Sequence, residues 1–305
     1  FGRVALAQNT AEMLPTAKFI AAFQNPDGGF ASAPGGKSSS TATVSAIRVL
    51  KYTGGSIPNP IKCIDYLLSC FDEKTGGFVP TPGGVPDVRT TALAMGGLYE
   101  LKIVTPDLAK RTVEYISKNA KEFEEIRISA AGMEAVNLVS PEGERWAKEI
   151  LETRNEDGSF GKGAAIPRET GSKVAALLRL KYKLDKREGA VAAMRAGQRP
   201  DGGWSPDGTV SNLDSSYRIM RAFFMLKEKP DTDRLRAFLD SHSNGDGSYA
   251  SKPGAKDTAG TYYCAIMKYW ARQLDGEPAL VETVGFTPLF NGKDLDGWEG
   301  NTDLW

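Results

Sequence analysis

Apolar residues recur along this chain at helical spacing, and two kinds of helix alternate. In "PNPIKCIDYLLSCF", Ile61, Ile64, Leu68 and Phe71 fall on one face while Lys62, Asp65 and Ser69 fall elsewhere. That pattern predicts a helix with one wet side. "LDSSYRIMRAFFML" and "GTYYCAIMKYW" are apolar around most of their circumference and predict buried helices. Short glycine-rich stretches separate the two kinds, such as "QNPDGGF" ending at Phe30 and "QRPDGGW" ending at Trp204.

These breaks are periodic. Their aromatics are Phe30, Phe78, Phe160, Trp204 and Tyr249, at steps of 48, 82, 44 and 45 residues. The long step has room for one worn unit, and "KEFEEIRISAAGMEAV" fits it, with Phe123 near the expected beat and the glycines lost. Units of this period are the mark of a repeat architecture. An outer amphipathic helix, a turn and an inner apolar helix, six times over, predict an all-α fold: an α/α toroid of six helical hairpins, with an inner and an outer ring of six. In the turn, glycines allow positive φ, the Asp accepts a local N–H and the aromatic buries its face between units. These jobs are structural, so Asp27, Asp157, Asp201 and Asp246 are not candidate catalytic acids. "NGDGSY" has the look of a calcium loop, but Ala255 stands where the bidentate Glu would be, which excludes it.

The 305 residues are 41% hydrophobic and 25% charged, an ordinary globular composition. Lys+Arg and Asp+Glu are 38 each and no basic stripe is present, so nucleic acid is excluded as a partner. No apolar run is long enough to span a membrane. Cys63 and Cys70 are about 10 Å apart along one helix, too far for a disulfide. With Cys264 they are expected as buried thiols. His242 is the only histidine, at the end of an outer helix, where a surface position is expected; a histidine-based metal cluster is excluded by count. Ala5-Leu6-Ala7 before Gln8 has the form of a signal-peptidase site. Residues 1–9 therefore read as a signal-peptide remnant, and export to the periplasm or the exterior is expected.

The repeated Q-x-x-D-G-G-[FW] turn followed by a helix resembles the prenyltransferase and squalene-cyclase repeat, over residues 10–273. The resemblance implies the toroid and brings three chemistries with it. Protein prenyltransferase β-subunits hold zinc with an Asp and a Cys two residues apart on one inner helix and a His on a later one. "SNLDSSYRIM" is similar to the first segment, with Asp214 at the Asp position and Ser216 at the Cys position. "SKPGAKDTAGTYYCAIM" is similar to the second, with Gly260 at the His position. One donor is left, so neither zinc nor another cofactor is expected. The D-x-D-D acid motif of triterpene cyclases and the Gly-Cys-Gly-Glu-Gln stretch of complement-type thioester domains are both absent. After a linker at 274–284, "GFTPLFNGKDLDGWEGNTDLW" resembles the opening strands of the 3-keto-disaccharide hydrolase domain, a β-sandwich. Phe286, Leu289, Phe290, Gly292, Leu295 and Trp298 carry that likeness. Residues 285–305 are too few to form its core, so they are expected as a short, incomplete β-type tail of a truncated domain.

In such a toroid the N-termini of the inner helices ring a cavity mouth. Thr41 and Thr43, Asp87 and Arg89, Arg168 and Glu169, Asp214 with Ser216 and Tyr217, and Asp257 with Thr261 and Tyr262 would stand there. Asp87, Asp257 and Glu169 also read as helix caps. Asp214 and Tyr217, one turn apart, are the foremost candidates. Carboxylates, arginine, hydroxyls and tyrosine together suit a polyol or sugar. The expected function is a ligand-binding or scaffold module that holds a small molecule or oligosaccharide for its own C-terminal hydrolase-like domain. A divergent isoprenoid transferase or cyclase is an alternative that rests on the fold alone. A carbohydrate-active enzyme is another, with Asp214 paired with Asp257 or Glu169 at a spacing of about 5–10 Å.

Overall fold

The structure is a computed structural model that describes residues 13–252 and 254–277. The remnant expected at 1–9, the linker beyond residue 277 and the tail at 285–305 lie outside the described residues. Among these, twelve α-helices are present and strand pairing is limited to isolated bridges. They are α1 (13–21), α2 (Ser40–Thr53), α3 (Pro60–Ser69), α4 (Val88–Glu100), α5 (Pro106–Asn119) and α6 (Phe123–Ala135), then α7 (Gly143–Leu151), α8 (Ile166–Arg179), α9 (Arg187–Ala196), α10 (Leu213–Leu226), α11 (Thr232–Asp240) and α12 (Thr258–Leu274). None is long and apolar enough to cross a membrane.

Even-numbered helices touch in chain order from α2 to α12, and α12 packs back on α2. That closes an inner ring of six. Odd-numbered helices lean on it from outside: α3 on α2 and α4, α5 on α4, α7 and α9 on α8, and α11 on α12. The fold is the expected α/α toroid. Close approach in the inner ring relies on small residues. A Cβ on Gly132 of α6 would lie 2.5 Å from the Ala92 carbonyl of α4.

The turn motif explains itself as a three-way joint. In its fullest form, at 198–204, Asp201 Oδ1 accepts from Gly203 N at 3.0 Å and from Ser211 Oγ at 2.8 Å. Gly202 takes φ +92° and sits on the Arg234 carbonyl of the next outer helix, so even a methyl group would overlap it. Trp204 is buried, and its backbone N–H donates to Ser216 Oγ on the inner helix at 3.0 Å. Gln198 reaches forward: its Nε2 donates to the Asp231 carbonyl at 2.8 Å, and its Oε1 accepts from Asp231 N at 3.0 Å. Asp231 in turn caps α11. Gln24 holds Asn59, the cap of α3, in the same way. One turn therefore fixes its own inner helix and the next unit's outer helix.

Three details differ from the sequence expectation. The buried face of α3 is Cys63, Tyr66, Leu67 and Cys70, whereas Ile61 is 71% and Leu68 42% exposed. Tyr66 packs against the side of Gly29, and this contact sets the rotation of α3. Phe123 does not close a glycine turn. It opens α6 directly, behind a capping box made by Glu122 and Glu125. His242 is half-buried rather than a surface residue, with Nδ1 2.9 Å from the Ala250 carbonyl and its ring edge on Phe238. The three cysteines are buried and free.

Candidate functional site

A cavity of about 400 Å³ runs down the ring axis. Its wall is built from one stripe of each inner helix. On α2 the stripe is Thr41, Val44, Ser45 and Arg48, and on α10 it is Asp214, Tyr217, Arg218 and Arg221. This is the i, i+3, i+4, i+7 spacing of a single helix face. The buried anchor hydroxyls Thr43, Thr91, Ser216 and Thr261 accept the turn N–H groups, so they fix the rotation of each helix. The residue after each anchor then faces the axis: Val44, Ala92, Tyr217 and Tyr262. Two units thus place tyrosine where two others place a small side chain.

At the floor the Tyr217 and Tyr262 hydroxyls are 3.2 Å apart. Arg221 Nη2 donates to the Tyr217 hydroxyl at 3.3 Å, and its guanidinium lies 4.1 Å over the buried Trp270 ring. Arg48 Nη2 donates to the Tyr52 hydroxyl at 3.3 Å and lies 5.7 Å over the Tyr262 ring. Arg179 is buried and bonds Glu134 at 3.0 Å; burial, then the neighbouring Arg221, pulls its pKa down to about 10. Burial raises both phenols. At Tyr217 the charges of Arg221 and Arg48, the hydrogen bond from Tyr262 and Arg179 outweigh burial, and its pKa falls below the ordinary tyrosine value. At Tyr262 burial wins, and the charge of Tyr217 adds to it. The two phenols are thus driven in opposite directions, Tyr217 down by the arginines around it and Tyr262 up by burial.

Toward the mouth the wall is an ion-pair ladder. Arg168 Nη2 donates to Asp214 at 3.0 Å and its Nη1 to Glu169 at 3.2 Å. Arg218 bonds Asp214 at 2.9 Å and grips both oxygens of Glu124, at 2.6 and 3.1 Å. The ladder crosses from α10 to the start of α6, the unit that has lost its glycine turn.

Of the residues expected at the site, Thr41, Asp214, Tyr217, Tyr262 and Arg89 line the cavity, whereas Thr43 and Thr261 are buried anchors that accept the turn N–H groups. Arg168 and Glu169 sit behind Asp214 as its ion-pair chain. Asp87 caps α4 through Thr90 N at 2.7 Å, and Asp257 caps α12 through Gly260 N at 2.6 Å. The Ser216 hydroxyl does not reach the cavity: it is fully buried between Trp204 N and the Asn212 carbonyl. The floor residues Arg48, Arg179 and Arg221 escaped sequence reasoning, which stopped at the helix N-termini. The signal was there, because Arg48 and Arg221 each stand five residues after an anchor hydroxyl.

The resemblance implied a zinc site, and the residues here do not fit one. Asp214 is held by two guanidiniums, and Ser216 Oγ is engaged in the turn. A side chain at Gly260 has no space, since its Cβ would lie 2.5 Å from the Tyr249 carbonyl. No group of metal-ligating side chains gathers elsewhere among the described residues.

The family model for the prenyltransferase alpha-alpha toroid domain matches residues 4–60, 55–121 and 126–286. Among solved structures, a protein from Actinoplanes superposes with a TM-score of 0.60 at 15% identity, covering 88% of this chain and 99% of its own. The type II terpene cyclase MstE from Scytonema gives 0.60 at 13% identity, covering 88% and 99%. A structure described as a glycosidase gives 0.56 at 11%, covering 91% and 100%. At these identities the likeness is one of fold.

Proposed function

Because the chain belongs to the prenyltransferase alpha-alpha toroid family, whose fold does not fix a chemistry, we propose that its axial cavity is a binding site for a small, oxygen-rich ligand, and that the protein works as a ligand-binding module. An oligosaccharide is the class that suits the wall. The carrying observation is the polar half of the wall: Arg48, Arg89, Arg221, Tyr217 and Tyr262 face about 400 Å³, beside Val44, Leu93 and Ile128. An isoprenoid chain would suit a wall apolar throughout, and here arginines and tyrosines interrupt the apolar stretches. Cyclase or glycosidase chemistry needs a carboxyl group that can hold a proton. Here each lining carboxylate is engaged by a cation: Glu100 by Lys51, Glu134 by Arg179 and Asp214 by Arg168 and Arg218. The likeness of residues 285–305 to a sugar-hydrolase opening points the same way, toward a module that presents a glycan to a neighbouring domain.

The test is a thermal-shift screen with neutral oligosaccharides on one side and isoprenoid diphosphates on the other. A ligand at 100 times its dissociation constant adds about 2.7 kcal/mol. The reading expects a shift with a sugar that shrinks in Tyr217→Ala. Turnover of an isoprenoid diphosphate by the wild type, or no sugar shift at all, overturns it.

A further inference from the structure

The cavity floor carries charge that the surrounding protein leaves unbalanced. Arg48 and Arg221 have no carboxylate partner among the described residues, and the Nε of each is buried without an acceptor. A buried N–H donor left without an acceptor is costly. Tyrosines stand opposite instead: Tyr217 on Arg221, Tyr52 and Tyr262 on Arg48, with the Tyr217 and Tyr262 hydroxyls 3.2 Å apart. Trp270 stacks under Arg221 and orients it without neutralising it.

We infer that this floor is an oxyanion site whose resident counter-ion is the Tyr217 phenolate, hydrogen-bonded by Tyr262, and that an entering carboxylate or sulfate group takes its place on Arg221 and Arg48 while Tyr217 regains a proton from solvent. One anion enters and one proton is taken up, so charge balances. The inference rests on the binding-module reading and adds to it the chemical class of the ligand: a sugar acid or a similar oxyanion.

The surroundings of Tyr217 support it from every neighbouring helix. Arg48 on α2, Arg179 on α8 and Arg221 on α10 bear on its hydroxyl, and α12 contributes Tyr262. Glu134 on α6 is taken by Arg179, and Asp214, one turn up α10, by Arg168 and Arg218. Arg89 on α4 lines the same cavity near the mouth, and Tyr263 on α12 packs 5.0 Å from the Tyr217 ring. Arginines therefore outnumber free carboxylates at the hydroxyl, and the fall of the Tyr217 pKa follows. An anion on the same arginines would cancel that field and return the proton.

Calorimetry on the whole chain tests this with glucose, glucuronate and inorganic sulfate, whose charges are constant from about pH 6 to pH 9. Tris and imidazole, two cationic buffers of different ionisation enthalpy, give the proton count. Glucuronate is expected to bind at least about tenfold tighter than glucose, with uptake approaching one proton, and to weaken up to about tenfold per pH unit above the Tyr217 pKa. Tyr217→Phe should still bind the anion, with no proton uptake and a flat pH profile. Arg221→Gln should lose the preference for the anion. Sulfate binding with proton uptake, where glucose and glucuronate both fail, overturns the sugar-acid ligand and the glycan module and leaves a site for a free inorganic ion. Equal binding of glucose and glucuronate without proton uptake overturns the inference and leaves the binding module standing. Anion binding whose proton count is unchanged in Tyr217→Phe overturns the resident counter-ion. No binding by any probe overturns the inference and the module together.

Discussion

The hydroxyl of Ser216 accepts the backbone N–H of Trp204 at 3.0 Å while it donates to the Asn212 carbonyl at 2.8 Å. This contact sets the rotation of α10 and so aims Tyr217, the next residue, into the cavity. Thr43, Thr91, Thr170 and Thr261 accept from Phe30, Phe78, Phe160 and Tyr249 in the same way. By this geometry the Ser216 position belongs to the scaffold.

Ser216→Ala should therefore reduce stability rather than ligand affinity. It leaves a buried N–H without an acceptor, at a cost of about 1–3 kcal/mol, or a melting temperature lower by roughly 2–10 °C. Thermal unfolding and ligand titration below the transition read the two effects apart. A variant that melts normally but binds tenfold more weakly would move Ser216 into the site.

Gly202→Ala should cost far more than Gly35→Ala, although both glycines have positive φ, +92° and +71°. At Gly35 the space beside Cα is empty, so only the backbone term of about 1 kcal/mol applies. At Gly202 the new methyl meets the Arg234 carbonyl, and α11 must move. Paired denaturation curves check this, and equal losses would mean that the glycine serves only the turn.

The ring was legible in the sequence because each glycine-containing turn that ends in an aromatic stands alone as a signal, and five survive to set the period. The α3 face was not legible. Ile61, Ile64 and Leu68 suggest one face, yet the buried face is Cys63, Tyr66, Leu67 and Cys70, turned inward by the contact of Tyr66 with Gly29, which no local pattern reports. The worn unit was placed correctly, but its joint was not, since Glu124 reaches Arg218 across 94 residues of sequence and no local pattern reports that. At the site, the mouth residues were found as helix starts. The floor was missed because Arg48 and Arg221 look like surface charges on an apolar helix until the anchor hydroxyls fix the register.

The three thiols should be silent toward a disulfide reagent in the native protein. All are buried, and burial pushes Cys63 up to about 12 and raises Cys70 and Cys264. A thiol so placed has almost no thiolate near neutral pH. Labelling should appear only with unfolding, at the rate of the global transition. Fast labelling of one cysteine in the folded state would reveal local opening of α3 or α12.

Gln198→Ala should loosen α11 before it loosens the rest of the ring. The amide makes the bonds that join the turn to the Asp231 cap, so its loss costs about 1–3 kcal/mol. Hydrogen exchange is the sensitive readout: amides of α11 should lose protection ahead of those of α10. Uniform loss across both helices would show that the two units open as one.

Glu124 should give the fold a distinct acid sensitivity. Burial raises its pKa, but the hydrogen bond from Arg218 and the charges of Arg127 and Arg218 outweigh it and hold it at about 2, against an ordinary 4.5. A carboxyl whose folded pKa is depressed contributes stability that is fully present above the unfolded value and is lost as pH falls through the folded one. The window is thus from 4.5 down to about 2. Glu124→Gln should melt lower than the wild type at neutral pH, because the bidentate ion pair with Arg218 is gone and α6 has no glycine turn to hold its start. As the pH falls through the window the wild-type carboxyl takes up its proton and comes to match the amide, so the gap between the two melting curves should close. A gap that stays constant from neutral pH to about pH 2 would show that Glu124 acts through packing alone and that the charge ladder does not fasten α6.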